Sequence, residues 1–246
     1  RGAGPGRGKA KGMYHAGRWQ DLAWVLEQLS RPLTENGLVL IGYSLGANML
    51  LRFLGDSGQA GRVRAAVAVS APIDLHATSA RMLERRNYVY MRYLLNGMVA
   101  DAMISPGLSD ELKAAARKAR NCWEFDDTVV APRNGFASAS DYYDRCQGLG
   151  ALPRIGVPTL VIHAHDDPWI PVAPYLAFDW ASNPKLVPLL PLSGGHVGFH
   201  GKNGTVWTDD CILAFLGARD KRMADKREAA EEALQEALPG NATVEG

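Results

Sequence analysis

The chain has 246 residues with 47% hydrophobic content, enough to bury a sizeable core and within the range of one α/β domain. Its 27 basic and 26 acidic side chains leave a formal net charge of +1, so no global field pulls it toward nucleic acid or an anionic bilayer. Cys122, Cys146 and Cys211 are odd in number and widely spaced, which fits neither a disulfide framework nor a zinc site and points to free thiols in a reducing compartment.

The opening stretch, Arg1 to Gly12, is glycine-rich and basic without apolar periodicity, so a loop is expected. It has neither G-x-G-x-x-G nor Walker spacing, and no phosphate cradle is expected there. Because the chain enters on this loop at Arg1 with no strand before it, it reads as an amino-terminally truncated form. From Trp19 to Leu29 the apolar residues recur at three- and four-residue steps, predicting an amphipathic helix, with a turn over Arg31 to Gly37. Leu38 to Tyr43 is a short continuous apolar run, the pattern of a parallel strand covered on both faces by helices. A helix over Leu45 to Leu54, stopped by Gly55, and a second buried strand over Val63 to Val69 follow. Strand, helix and strand at this spacing predict a parallel crossover.

Between about Leu75 and Gly150 the alternation breaks into helical segments rich in Arg, Tyr and Met, among them Met82 to Met98 and Leu108 to Trp123, read as an inserted cap. A strand over Pro158 to Ala164, a helix near Tyr175 to Trp180, a strand over Lys185 to Leu192 and a closing helix over Trp207 to Leu216 restore the α/β pattern. The predicted fold class is therefore α/β, a mostly parallel sheet flanked by helices, with the domain spanning 1–216. Residues 217–246 read as a charged helical or disordered tail. No apolar run reaches the roughly 20 residues of a membrane span and the first residues lack a signal-peptide core, so a cytoplasmic protein is expected. The sequons at Asn203 and Asn241 then carry no consequence.

Gly42-Tyr43-Ser44-Leu45-Gly46 is a G-x-S-x-G pentapeptide at a predicted strand-to-helix junction, the context a nucleophile elbow demands. Ser44 on such a turn presents its hydroxyl to substrate, and the Leu45 backbone N–H at the helix N-terminus faces a developing oxyanion. Small residues at Gly42 and Gly46 let strand and helix approach, so larger ones at either position are expected to clash. A hydroxyl nucleophile needs a base. His196, after the last predicted strand, can be carried by its loop to Ser44, and strand order favours it over His15, His76, His163, His165 and His200. The base needs a carboxylate to fix its tautomer. Asp167 at the end of the third strand is the choice, with Asp166 as runner-up and Asp74, one strand earlier, as a further candidate. The order Ser44, Asp167, His196 is that of α/β-hydrolases rather than of the major serine-protease folds. In the cap, Met82, Tyr88, Tyr90, Met91, Tyr93 and Met98 are candidates to line an acyl-chain pocket or simply to pack. Trp169 is a candidate to wall the site or to pack beneath it.

Tyr14-His15-Ala16-Gly17, the stretch Gly42 to Leu50, Ser70 to Leu75, Phe125-Asp126-Asp127, Gly135-Phe136, Asp141-Tyr142-Tyr143, His163 to Pro168 and Gly195 to Phe199 resemble, in that order, the YheT-type branch of the α/β-hydrolases. The resemblance covers Arg1 to about Leu216. It implies a carboxylesterase or monoacylglycerol-lipase-like activity on small-molecule or lipid-like acyl esters, without metal or organic cofactor. It also implies further strands and a His-Gly loop, supplier of a second oxyanion donor, upstream of the first residue. An acyltransferase using the same three residues, and a non-catalytic binding module, are the alternative readings.

Overall fold

A computed structural model describes residues 2, 4–201 and 204–218. The chain divides into two compact units, residues 1–200 and 201–246. In the second, 207–218 are helical, in line with the predicted closing helix. The tail beyond residue 218 and the sequons at Asn203 and Asn241 lie outside the described residues.

The first unit is built on a parallel sheet of β1 (Leu38–Tyr43), β2 (Val63–Val69), β3 (Thr159–Ile162) and β4 (Leu186–Leu189), in that spatial order. β1 and β2 occupy the predicted spans. β3 and β4 are shorter than predicted, because their polar ends leave the ladder to become loops. Every residue of β3, and all of β2 but Arg64, is buried, as apolar runs between two helical layers require. Among the described residues β1 stands at an edge of the sheet, with Ile41 and Tyr43 47% and 42% exposed, where cover on both faces was expected. β4 is the other edge, where Pro188 is tolerated because one side of the strand needs no ladder donor.

Helix α1 (Trp19–Gln28) ends as expected, and a short helix α2 (Arg31–Thr34), with Pro32 in its first turn, replaces the predicted turn. Helix α3 (Leu45–Asp56) runs through Gly55 instead of stopping there. That glycine serves close approach: a Cβ on it would lie 2.6 Å from the Ala151 carbonyl oxygen. Leu50, Leu51 and Phe53 of α3 pack with Val161 and Tyr175 into the core beside the sheet.

The cap consists of α4 (Leu75–Met82), α5 (Tyr88–Ile104), α6 (Asp110–Lys118), and a run formed by α7 (Cys122–Phe125), a π turn (Asp126–Val130) and α8 (Ala131–Arg133), then α9 (Ala139–Cys146). The predicted helix over Met82 to Met98 is broken at 83–87. Asn87 turns the chain there by donating from Nδ2 to the Arg81 carbonyl at 2.9 Å. The segment from Leu108 to Trp123 is likewise divided, with side-chain caps from Ser109 and Asn121 opening α6 and α7. The cap has its own core of Met91, Leu95, Phe125, Val129, Tyr142 and Tyr143. Helix α10 (Ala173–Ala177) follows β3. Among the described residues no helix is long and apolar enough to cross a membrane, and Cys122, Cys146 and Cys211 are free.

Candidate active site

Strand β1 delivers Ser44 to the start of α3. Its N–H donates to the Val69 carbonyl of β2 at 2.8 Å, and its own carbonyl accepts from Ala47 and Asn48 at 3.0 and 3.1 Å. Between these anchors Ser44 adopts φ 51 and ψ −124, a strained backbone for a residue with a Cβ. Gly42 makes the turn possible, since a Cβ there would stand 2.8 Å from both the Ala47 Cα and the Gly46 carbonyl oxygen. Gly46 differs from the sequence expectation: nothing lies within 4 Å of a Cβ built on it, so no clash guards that position. One turn along α3, the buried Asn48 donates through Nδ2 to the carbonyls of Ala16 and Cys146, both at 3.0 Å. The elbow helix thereby holds the segment before α1 and the end of α9 together.

The loop after β3 places Asp167 in a buried position, where Oδ1 accepts from the N–H groups of Trp169 and Ile170 at 2.9 and 3.0 Å. The other oxygen, Oδ2, lies 2.8 Å from His196 Nδ1. With Nδ1 as the donor to this carboxylate, Nε2 is left as the basic nitrogen. The two rival carboxylates do other work. Asp166 Oδ1 accepts from Gly194 and Gly195 N–H at 2.9 and 2.8 Å and so ties down the loop that carries His196. Asp74 caps α4 by accepting from Ala77 N–H at 2.9 Å.

Two further groups hold His196: Ser70, to which the sequence assigns no role at the site, and Trp169, which the sequence leaves as a wall of the site or packing beneath it. The buried Ser70, at φ 51, donates its hydroxyl to the His196 carbonyl. Trp169 presents its face or edge to the imidazole at 4.8 Å between centroids and 65° between planes. Trp169 is itself stacked on Tyr90 of α5 at 3.7 Å and 7°, and Asn87 Nδ2 donates to the adjacent Pro168 carbonyl at 3.0 Å. The cap is therefore seated on the loop that carries Asp167. A left-handed serine after a buried strand leaves no local pattern by which sequence reasoning finds it, and the partners of Trp169, 79 and 27 positions away in sequence, are likewise set only by the fold.

Ser44, Leu45, Trp169 and His196 line one cavity of about 760 Å³ between sheet and cap, a size suited to a small organic ligand. Ser44 and His196 are not hydrogen bonded to each other across it. Of the cap residues expected to line a pocket, Met82, Tyr90, Tyr93 and Met98 do so. Met91 is buried in the cap core, and Tyr88 is exposed on the surface. Trp169 both lines the cavity and packs against the two cores.

The remaining histidines are placed otherwise. His163 is wholly buried, stacked on Tyr175 at 4.1 Å and 3°, with Nδ1 3.8 Å from Asp167 Oδ2 and no hydrogen bond to either ring nitrogen. Burial drives it down to about 4 against the pull of the Asp167 charge. His15 lines the cavity, accepts from Gly17 N–H at 3.2 Å, and is lowered to about 4 by burial and by Arg18. His76 bonds Asp144 at 2.8 Å on the surface, His165 is tied through its backbone N–H to the Pro191 carbonyl at 2.9 Å, and His200 is exposed. Among the described residues no group of three or more His, Cys, Asp or Glu side chains is arranged to hold a metal.

The parallel sheet, the strained serine between β1 and α3, and the acid and histidine on the loops after β3 and β4 define a class. The chain belongs to the alpha/beta hydrolase family, whose model matches residues 1–206. It is 39% identical to YheT of Escherichia coli (strain K12) over 198 residues, 77% of this chain and 56% of that protein. It is 27% identical to a monoacylglycerol lipase of Saccharomyces cerevisiae (strain ATCC 204508 / S288c), covering 83% of this chain and 47% of the relative. It is also 27% identical to the medium-chain fatty acid ethyl ester synthase/esterase 2 of the same yeast, covering 86% and 52%. The chain thus spans about half the length of the curated relatives it matches.

Proposed function

We propose that the protein is a serine hydrolase of carboxylic esters, carboxylesterase or monoacylglycerol-lipase-like, in which Ser44 is the nucleophile, His196 the base and Asp167 the orienting acid. The observation that carries this reading is the bond of 2.8 Å between His196 Nδ1 and the buried Asp167, with His196 and the strained Ser44 on the wall of one cavity. In the first step His196 Nε2 takes the Ser44 hydroxyl proton while Oγ attacks the ester carbonyl carbon. The Leu45 N–H, at the start of α3, donates to the oxyanion. Collapse expels the alcohol, protonated by His196, and leaves an acyl ester on Ser44. Water, deprotonated by the same imidazole, then releases the acid. These steps need no cofactor. The named lipase and esterase relatives and the apolar cavity support a small, lipid-like acyl ester as substrate. The free cysteines accord with a cytoplasmic location.

A second reading is acyl transfer to an alcohol through the same residues. It is favoured by the relative named as an ester synthase as well as an esterase. Product analysis with added acceptor alcohols separates the two.

The test is covalent labelling with a fluorophosphonate probe, comparing this chain, Ser44→Ala, and a longer chain carrying the upstream segment of a relative. Labelling of this chain that is abolished in Ser44→Ala supports the assignment. Labelling of the longer chain alone means that a second oxyanion donor, worth about a hundred- to a thousandfold in turnover, must come from upstream and that this chain is a binding fragment. Absence of labelling in both overturns the hydrolase reading.

A further inference from the structure

We infer that the cavity contains a polar niche, formed by Asp126, Tyr143, Ser79 and Tyr14, that receives an uncharged hydroxyl group of the substrate. This rests on the hydrolase reading for the word substrate, but not for the niche itself.

The wall of the cavity is mostly apolar, supplied by residues such as Leu45, Leu75, Met98 and Phe125. Asp126 interrupts it. The residue opens the π turn Asp126–Val130, a rare geometry that inserts an extra residue into a helix and often marks functional positions. The neighbouring Asp127 anchors the turn outward, its Oδ1 accepting from Ala139 N–H at 2.8 Å. Asp126 instead lines the cavity. Its Oδ2 accepts from the Tyr143 hydroxyl at 2.7 Å, and that hydroxyl stands 3.3 Å from Ser79 Oγ. Among the described residues neither Asp126 Oδ1 nor the Tyr14 hydroxyl, on the same cavity wall, has a hydrogen-bond partner.

The charge around the niche selects the guest. No cationic side chain among the described residues is paired with Asp126, and the one other carboxylate on this wall, Asp101, is taken by Arg7. Burial without a cation raises Asp126 to about 7, and the charges of Asp101 and Asp126 add to burial in raising Tyr14. A carboxyl that readily holds its proton both donates and accepts, as do the tyrosine and serine hydroxyls around it. A guest hydroxyl has the same dual capacity, whereas a carboxylate guest would find no cation among the described residues to pair with, since Arg7 is held by Asp101, and a methyl group would leave the polar atoms unpaired.

The experiment measures binding, so that it does not depend on turnover. In the Ser44→Ala full chain, calorimetry compares an n-alkanol, the α,ω-diol of the same chain length and the corresponding amino alcohol, with and without Asp126→Leu. The ratio of diol to alkanol affinity is expected to fall by about tenfold in Asp126→Leu, and by about two- to tenfold in Tyr14→Phe, which removes one hydroxyl and no packing volume. Tyr14→Phe carries the test alone if Asp126→Leu does not fold. An unchanged ratio in the folded variants overturns the niche, and so does a preference for the amino alcohol that Asp126→Leu abolishes, which would make the site a cation site. Labelling at Ser44 with an unchanged ratio removes the niche and leaves the hydrolase reading. A shifted ratio without labelling removes the hydrolase reading and leaves the niche.

Discussion

Replacing His163 by phenylalanine is expected to leave the protein at least as stable near neutral pH and to remove part of its sensitivity to acid. The ring is fully buried against Tyr175 and gives neither nitrogen a hydrogen bond, so phenylalanine keeps the stacking and removes two unpaired polar atoms, a gain of about 1–3 kcal/mol. The acid dependence follows from its depressed basicity. In the unfolded chain the imidazole titrates near 6.5, and in the folded protein near 4. Between those values the unfolded state binds a proton that the native state refuses, so stability rises with pH across the window and is lost as pH falls through it. The full shift corresponds to about 3 kcal/mol, of which about 2 kcal/mol is already lost at about pH 5. Urea unfolding of parent and variant at about pH 7.5 and pH 5 reads this directly. The variant is expected to lose about 2 kcal/mol less on acidification. Some acid sensitivity persists in it, because His15 is lowered to about 4 in the same sense. Equal losses in parent and variant would refute the argument from the buried neutral ring.

Three further outcomes are expected. Gly42→Ala places a Cβ against backbone atoms at 2.8 Å and costs about 2–3 kcal/mol together with fluorophosphonate labelling, whereas Gly46→Ala, with open space around it, leaves melting temperature and labelling rate unchanged. Asp167→Asn preserves the shape of the loop but not the tautomer control over His196, and lowers the esterase turnover number by about four orders of magnitude; a loss below tenfold would assign the acid role elsewhere. Trp169→Ala removes both the stack on Tyr90 and the contact with His196, and lowers unfolding free energy by about 3 kcal/mol with slower labelling, while Tyr90→Phe, which keeps the stack, changes neither.

The sequence by itself determined the elements β1, α3 and β2 and the placement of Ser44 between the first two. Local rules suffice there: a strand of a parallel sheet reads as a short continuous apolar run, and a strained turn needs Gly42. It also determined that His196 and Asp167 end up on loops at the same end of the sheet, because parallel strands send their following loops to one edge. The choice of Asp167 over Asp166 and Asp74 was open to sequence preference. The geometry separates them: Asp167 alone meets His196, while Asp166 and Asp74 satisfy backbone N–H groups. Gly55 and Gly46 were misread because a glycine's role depends on what approaches it, and Ala151 is 96 positions from Gly55 in the chain. Tertiary structure alone decided that Ser70 anchors the His196 loop, that Tyr90 and Trp169 seat the cap on the acid loop, and that Asp126 faces the cavity while Asp127 does not. Each of these depends on contacts between segments far apart in sequence, whose meeting is set by packing of the whole fold and not by the periodicity of any one segment.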